Sequence, residues 1–175
     1  MIMLVLGPNG SGKSACAEKL AARLSSGVMY YVATMIPYGE EGQNRVEKHR
    51  KQRESMGFIT VEKPFCVSEI SFTQDSVTLL EDVSNLLSNA LFAGNCDGDV
   101  NSVFNDVTAM CGACRDAVLV SIDGLTALLE YDGETREYIK SLNRLNDRLI
   151  DFADTVVTMR GGLPVLIKGG AYEMD

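Results

Sequence analysis

The sequence predicts an α/β fold in which helices flank a mainly parallel sheet. Short apolar runs alternate with longer amphipathic stretches along the 175 residues, the pattern of strands joined by helical crossovers. A glycine-rich segment directly after the first apolar run predicts a tight turn from a strand into a helix. The length suits one domain, spanning residues 1–175, that buries a substantial core.

The elements of the first half follow from apolar spacing. Met1–Leu6 is predicted to be a buried strand, and Lys13–Leu24 a helix that buries one face. That face comprises Cys16, Ala17, Leu20, Ala21 and Leu24. The further predicted elements are the strand Val28–Ala33, the polar helix Glu41–Arg53, the short strand Phe58–Val61, the strand Val77–Leu80 and a helix through Leu91.

The second half continues the alternation. "GNCDGDVN", Gly94–Asn101, predicts a loop, and a helix is expected after it. The strand Ala117–Ile122 precedes a long helix, Glu134–Phe152, whose apolar spacing places Tyr138, Leu142, Leu145 and Leu149 on its inner side. Thr155–Met159 and Leu163–Ile167 are predicted to be the closing strands.

Composition argues against several classes of protein. The formal net charge of −8 disfavours broad nucleic-acid binding, which needs a basic surface. No apolar run is long enough for a membrane span. The opening "MIMLVL" has no basic region typical of a signal peptide, so a cytoplasmic location is expected. Cys111 and Cys114 form a lone CxxC that is two ligands short of a zinc site, and reduced thiols are expected.

"GPNGSGKS" matches the phosphate-binding pattern GxxxxGK[ST] in full, between a predicted strand and a predicted helix. Its members are Gly7, Pro8, Asn9, Gly10, Ser11, Gly12, Lys13 and Ser14. Backbone N–H groups and the helix N-terminus are expected to surround a β-phosphate. Lys13 would contact the β- and γ-phosphates, and the Ser14 hydroxyl would bind Mg²⁺. The segment therefore predicts a nucleoside triphosphate site in a P-loop NTPase-like fold.

A second acidic group is expected beside the metal. "VTLLED" ends in Glu81 and Asp82, and "AVLVSID" ends in Asp123. Both are apolar runs that terminate in a carboxylate, as the metal-side strand of such a site does. The residue pattern alone leaves both possibilities open.

"RVEKHRKQR", Arg45–Arg53, contains the single histidine of the chain. Arg45, His49 and Arg53 are four residues apart and would share one helical face. Two nearby cations disfavour the imidazolium, so His49 is expected to be neutral and nucleophilic. The guanidinium groups suit phosphate oxygens. A solvated basic face with a bystander histidine is the alternative.

Together these segments resemble the bifunctional adenosylcobinamide kinase/adenosylcobinamide-phosphate guanylyltransferases of cobalamin biosynthesis. The similarity includes "MIMLVLGPNGSGKS", "YYVAT", "RVEKHRKQR", "FITVEKP", "LLEDVSNLLSNAL", "LNRLNDRLIDFADTVV" and "GLPVLIK". The resemblance implies two reactions with Mg²⁺. Adenosylcobinamide, a corrinoid, is phosphorylated by ATP or GTP, and GMP is then transferred from GTP through a covalent histidine intermediate.

Site residues carry over from the resemblance by position. His49 would be the guanylylated histidine, and Glu81, favoured over Asp123, would serve the metal with Ser14. The nucleotide-contacting positions beyond the P-loop would be Ala33, Thr34, Met35, Arg45, Arg50, Lys51, Gln52, Arg53, Glu62 and Glu81. The resemblance also implies a homotrimer.

The chain departs from the family pattern at several positions. Ile122-Asp123-Gly124-Leu125 replaces the usual Asn-Glu-Val-Gly, which puts the corrinoid side of the site or the kinase step in question. Asp82 stands where cysteine is common, Asp147 where glutamine is common, and Phe58 where tryptophan is usual. A P-loop kinase of another small alcohol and a non-catalytic nucleotide-binding protein are the rival interpretations.

Overall fold

A seven-stranded, mainly parallel sheet forms the centre of the computed structural model, which describes residues 1–37, 56–93, 98–126 and 130–170. The strands are β1 (Ile2–Gly7), β2 (Met29–Ala33), β3 (Phe58–Glu62), β4 (Val77–Glu81), β5 (Asp116–Ile122), β6 (Thr155–Arg160) and β7 (Leu163–Lys168). The helices are α1 (Lys13–Leu24), α2 (Val83–Phe92), α3 (Val100–Gly112) and α4 (Gly133–Phe152), with a 3-10 turn at Val67–Glu69.

The strands lie in the order β3-β2-β4-β5-β1-β6-β7. All neighbours pair in parallel except β6 and β7, which form an antiparallel hairpin through Gly161 and Gly162, both at positive φ. Because the parallel strands share one direction, their carboxyl ends and the turns that follow them lie at a single edge of the sheet.

Two apolar layers cover the sheet. On the α1 side, which is the face covered by α1, Ala17, Leu20 and Ala21 pack on strand residues such as Val5 and Val120. On the three-helix side, which is the face covered by α2, α3 and α4, Leu142, Leu145 and Leu149 have no exposed surface. Alternation along each strand divides its residues between these two layers.

The observed elements confirm the predicted α/β class and most of its boundaries. Helix α1 has the predicted bounds, and no strand end differs from its prediction by more than one residue. The predicted loop Gly94–Asn101 was too long, because Asp99 caps α3 through the Ser102 N–H at 2.8 Å and Val100 begins the helix. The predicted helix Glu41–Arg53 lies outside the described residues.

Candidate active site

The P-loop connects the central strand β1 to α1 at the carboxyl edge of the sheet. Gly12 adopts φ 87° and starts α1, a left-handed conformation that glycine tolerates without a steric cost. A β-carbon on Gly7 would lie 2.9 Å from Cβ of Met159, so this position has no room for a side chain. Pro8, Asn9, Gly10 and Gly12 are exposed, which leaves the loop accessible to a ligand.

Lys13 begins α1 directly after Gly12 and is only 7% exposed. Its ammonium group favours the ionised forms of Glu81 and Asp82, two buried carboxyls at the end of β4, and so acts to lower both pKa values. One cation thus influences two acids, and both acids lie at the end of β4.

Ser14 donates a hydrogen bond from its hydroxyl to Oε1 of Glu81 at 2.5 Å. The other carboxylate oxygen, Oε2, is buried and accepts no hydrogen bond from the described part of the chain. Burial raises the pKa of Glu81 to about 7, and the Ser14 hydroxyl only partly offsets that rise. A buried carboxylate oxygen without a partner, next to a hydroxyl, is an arrangement that a cation would satisfy.

Asp82 turns to the opposite side of the sheet from Glu81. Its carboxylate caps α2 by accepting hydrogen bonds from the Asn85 N–H at 2.7 Å and the Ser84 hydroxyl at 2.6 Å. Burial raises its pKa despite these two bonds. Asp82 therefore has a structural role as a helix cap, and the acid free to serve the P-loop is its neighbour.

The ends of β2, β3 and β4 lie at one level, since Ala33 pairs with both Glu62 and Glu81. Thr34 follows directly and has no exposed surface. Its hydroxyl lies 2.8 Å from both N and O of Asp82. Any role of Thr34 in nucleotide binding would therefore act through β4, whereas Glu62 is exposed at this level and Met35 is half-buried.

Asp123 follows β5, the strand between β4 and β1. Its N–H donates to the Gly7 carbonyl at 3.4 Å, so it lies beside the start of the P-loop. Its Oδ2 accepts a hydrogen bond from the Thr158 hydroxyl at 3.0 Å. Because Thr158 belongs to β6, on the far side of β1, this bond crosses the end of the P-loop strand.

A family model described as cobinamide kinase / cobinamide phosphate guanyltransferase matches residues 3–167. The chain belongs to this family. It is 27% identical over 172 residues to the bifunctional adenosylcobalamin biosynthesis protein CobP of Pseudomonas aeruginosa, covering 95% of this chain and 96% of that protein.

Solved structures similar to this cobinamide kinase/guanyltransferase family member confirm the P-loop ATPase-like fold. The flagellar accessory protein FlaH from Methanocaldococcus jannaschii has a TM-score of 0.55 at 13% identity, covering 99% of this chain and 82% of that one. A type III secretion system ATPase from pathogenic bacteria has a TM-score of 0.53 at 11% identity, over 91% of this chain and 51% of that one. These likenesses concern the fold alone.

The donor set of this family member fits Mg²⁺. Ser14 and Glu81 offer oxygen atoms, which Mg²⁺ prefers, and Glu81 Oε2 has no competing partner among the described residues. No group of three or more histidine, cysteine, aspartate or glutamate side chains gathers in the described part of the chain. Few protein ligands are usual where nucleotide phosphates complete the coordination of Mg²⁺.

Several predicted site residues of the family member fall outside the described residues, namely Arg45, His49, Arg50, Lys51, Gln52 and Arg53. The described part of the chain brings together the P-loop, Lys13, Ser14 and Glu81. Within that part, no helix is both long and apolar enough to span a membrane.

Sequence reasoning missed three polar residues that position the site. Thr158 bonds Asp123, Asn146 of α4 accepts from the Ser121 hydroxyl at 2.7 Å, and Asn89 of α2 donates to the Thr34 carbonyl at 2.8 Å. A signal was present at Thr158, a polar residue next to Val156, Val157 and Met159, and at Asn146, which lies four residues after Leu142 on the inner face of the long helix.

Proposed function

We propose that this chain phosphorylates the aminopropanol hydroxyl of adenosylcobinamide and then transfers GMP from GTP to the resulting phosphate. The observation that carries the proposal is the bond between Ser14 and Glu81 at 2.5 Å, placed directly behind a complete P-loop. Membership of a family named for both reactions supports it. The product is adenosylcobinamide-GDP.

The P-loop binds and orients the triphosphate in both steps. Backbone N–H groups of Gly7–Ser14 and the positive end of α1 attract the β-phosphate, and Lys13 neutralises charge on the β- and γ-oxygens. Because Lys13 is already buried at this edge, it is held near its working position before any nucleotide arrives.

Ser14 and Glu81 would hold Mg²⁺ beside the phosphates. When bound, the ion supplies positive charge that offsets the negative charge developing on the phosphate oxygens. The Glu81 carboxyl must be ionised for this role, and the nearby Lys13 ammonium favours that form. ATP or GTP serves as the donor of the first step, and GTP as the donor of the second.

His49 is the proposed carrier of GMP. Its imidazole nitrogen attacks the α-phosphorus of GTP, a P–N bond forms, and the bond to the leaving pyrophosphate breaks. The phosphate of the corrinoid then attacks the same phosphorus, and the bond to His49 breaks as GMP is transferred. Arg45 and Arg53 would neutralise the phosphate charge during both displacements.

Labelled GTP tests the covalent step. GTP labelled at the α-phosphate is expected to leave acid-labile, base-stable label on the peptide that contains His49, because a phosphoramidate has that stability. GTP labelled at the γ-phosphate should leave none there. His49→Asn should remove the label and guanylyl transfer, while phosphorylation of the corrinoid, which needs no covalent nucleotide, continues.

The same experiment separates the proposal from its rivals. Phosphorylation of a hydroxyl acceptor without any label on wild-type protein would favour a simple P-loop kinase. GTP binding without turnover or label would favour a regulatory nucleotide-binding protein. Loss of both reactions in His49→Asn, with GTP binding retained, would contradict the division of labour between His49 and the P-loop.

A cytoplasmic homotrimer is the proposed working form, on the strength of the family resemblance. Light scattering of the purified protein measures the assembly directly, and a monomer at working concentration would contradict it.

A further inference from the structure

Glu81 ends β4 and Asp123 directly follows β5, and these two acids lie on opposite sides of the sheet. Glu81 is on the α1 side, where Ser14 also lies. Asp123 is two residues beyond Ser121, and the Ser121 side chain bonds Asn146 of α4. The Asp123 carboxylate bonds Thr158, which is the register partner of Leu6. Leu6 belongs to the core layer of the three-helix side. Asp123 therefore lies at the carboxyl edge, on the side away from α1.

This division of sides matches what phosphoryl transfer requires. The β-phosphate is bound at the start of α1, so the leaving group lies on the α1 side of β1. The attacking oxygen must approach the γ-phosphorus roughly in line with that leaving group, from the opposite direction. The acceptor hydroxyl would then arrive from the three-helix side, where Asp123 lies beside the first residue of the P-loop.

We infer that Asp123 is the catalytic residue that accepts the proton of the acceptor hydroxyl in the kinase step. The hydroxyl oxygen forms a bond to the γ-phosphorus, and the bond between that phosphorus and the β,γ-bridging oxygen breaks. The nucleoside diphosphate leaves with the bond's electron pair, and the hydroxyl proton passes to the Asp123 carboxylate. The inference rests on the proposed function and adds a residue to its first step.

The surroundings of Asp123 suit a general base rather than a residue that only holds two strand ends together. Thr158 occupies Oδ2 with a single hydrogen bond, and the described residues place no donor on Oδ1. The side chain is only half-buried, so an acceptor can reach it. Asn146 fixes the backbone just before it by donating to the Ile122 carbonyl at 2.8 Å, which holds the carboxylate in place before substrate binds.

The decisive experiment measures corrinoid phosphorylation and guanylyl transfer separately in Asp123 variants. Adenosylcobinamide with ATP and Mg²⁺ reports the first step, and adenosylcobinamide phosphate with GTP reports the second. Asp123→Ala is expected to lower kcat of phosphorylation about 100-fold or more, the usual contribution of a general base. KM for ATP and for adenosylcobinamide should change by about twofold or less, because the base acts in the transition state.

Chemical rescue distinguishes proton transfer from a structural role. Sodium formate supplies a small carboxylate that can occupy the space left by Asp123→Ala, and it should restore kcat about tenfold or more. Asp123→Asn, which keeps the shape, should lose as much activity as the alanine variant. Thr158→Val keeps the carboxylate but removes its orienting bond, so a smaller loss of roughly tenfold is expected.

Asp154→Asn is the matched control. Asp154 accepts a hydrogen bond from the Ile2 N–H at 2.7 Å, at the opposite edge of the same sheet. Its removal disturbs a strand end without approaching the P-loop, so phosphorylation should continue at the wild-type rate. Circular dichroism of all variants shows whether each one is folded.

Each outcome decides the inference. The inference is overturned if Asp123→Asn phosphorylates the corrinoid with the wild-type kcat. It is also overturned if formate fails to restore activity to Asp123→Ala, or if excess Mg²⁺ restores it instead, because these results indicate a structural or metal-side role. If wild-type protein phosphorylates no corrinoid, the first step of the proposed function fails as well. If wild-type protein phosphorylates the corrinoid and Asp123→Ala does so equally, only this inference fails.

Discussion

Glu81 and Asp123 lie at the carboxyl ends of two neighbouring strands, β4 and β5, yet their surroundings have little in common. Glu81 is enclosed on the α1 side, with Ser14 on one oxygen and no described partner on the other. Asp123 is half-buried on the three-helix side, and its carboxylate bonds only Thr158 among the described residues. Burial raises the pKa of Glu81 to about 7, as is expected for a carboxyl that a cation would stabilise. Asp123, in contrast, is accessible to a substrate.

The difference shows how one sheet edge can hold two kinds of acid chemistry. Side chains alternate between faces along each strand, so the register decides which side of the P-loop an acid reaches. Under the proposed function, the α1 side would serve the phosphates and the metal, and the three-helix side would serve the acceptor. Four experiments test this division.

Lys13→Ala should have the largest effect, because it removes the cation of the α1 side. Affinity for GTP is expected to fall about 100-fold, the equivalent of roughly 3 kcal/mol for a charge-assisted contact to phosphate. Isothermal titration calorimetry measures it. Lys19→Ala, at an exposed position of the same helix, is the control and should bind GTP normally. Unchanged affinity in Lys13→Ala would remove the P-loop assignment.

Glu81→Gln should raise the Mg²⁺ concentration needed for half-maximal guanylyl transfer about tenfold, because a neutral amide is a poorer ligand for a hard cation. Asp123→Asn should leave that concentration near the wild-type value, since Asp123 is placed on the other side. Titration of Mg²⁺ at saturating GTP provides the measurement. The opposite ranking of the two variants would mean that β5, not β4, carries the metal-side acid.

The pH dependence of stability tests the burial of Glu81. Its pKa rises from 4.5 in the unfolded chain to about 7 in the fold, so the native state holds a proton that the unfolded state releases. The stability from this group is therefore present below pH 4.5 and is lost as pH rises through 7. Without nucleotide, Glu81→Gln should be more stable than wild type at pH 8, by on the order of 2 kcal/mol.

Urea denaturation between pH 5 and pH 8 checks this expectation. The stability difference between Glu81→Gln and wild type should shrink towards pH 5, because the native wild-type carboxyl is then protonated and neutral, like the glutamine amide. Asp75→Asn changes an exposed acid and serves as the control, with an unchanged pH profile. An advantage that is equal at all pH values would show that the ionisation of Glu81 has no part in it.

Tyr138→Phe should have the smallest effect. Tyr138 lies on the three-helix side, where its hydroxyl donates to the Ser84 carbonyl at 3.1 Å, and burial beside Asp82 raises its pKa to about 12. Removing one partly buried hydrogen bond should lower stability by roughly 1 kcal/mol. Neither reaction should change, since this residue supports α2 behind the reacting edge. A loss of phosphorylation would extend the acceptor site as far as α2.

The parts of this site that depend on local chemistry could be predicted from the sequence. The glycines, Lys13 and Ser14 define the P-loop by themselves, and the bounds of α1 follow from them. Asp99 and Asp82 have roles that their local sequence does not indicate. Each is an acid next to a glycine-rich or apolar segment, and only the folded chain reveals that both cap helices.

The positions of Glu81 and Asp123 could not be predicted, for a physical reason. Which face an acid occupies depends on the register between strands that are far apart in sequence, and β5 enters the sheet between β4 and β1. Thr158 was missed for the same reason, because it acts only once β6 lies beside β1. Family resemblance favoured Glu81 over Asp123, whereas composition and periodicity left the choice open.

Thr34 ties the end of β2 to the end of β4. It follows β2 and precedes the segment with His49, yet its hydroxyl is bonded to the backbone of Asp82, next to Glu81. The Thr34 carbonyl accepts from Asn89 of α2 as well, so one buried residue ties two strand ends and a helix together. A substitution at Thr34 would therefore be pleiotropic, since it loosens β2, β4 and α2 in a single change.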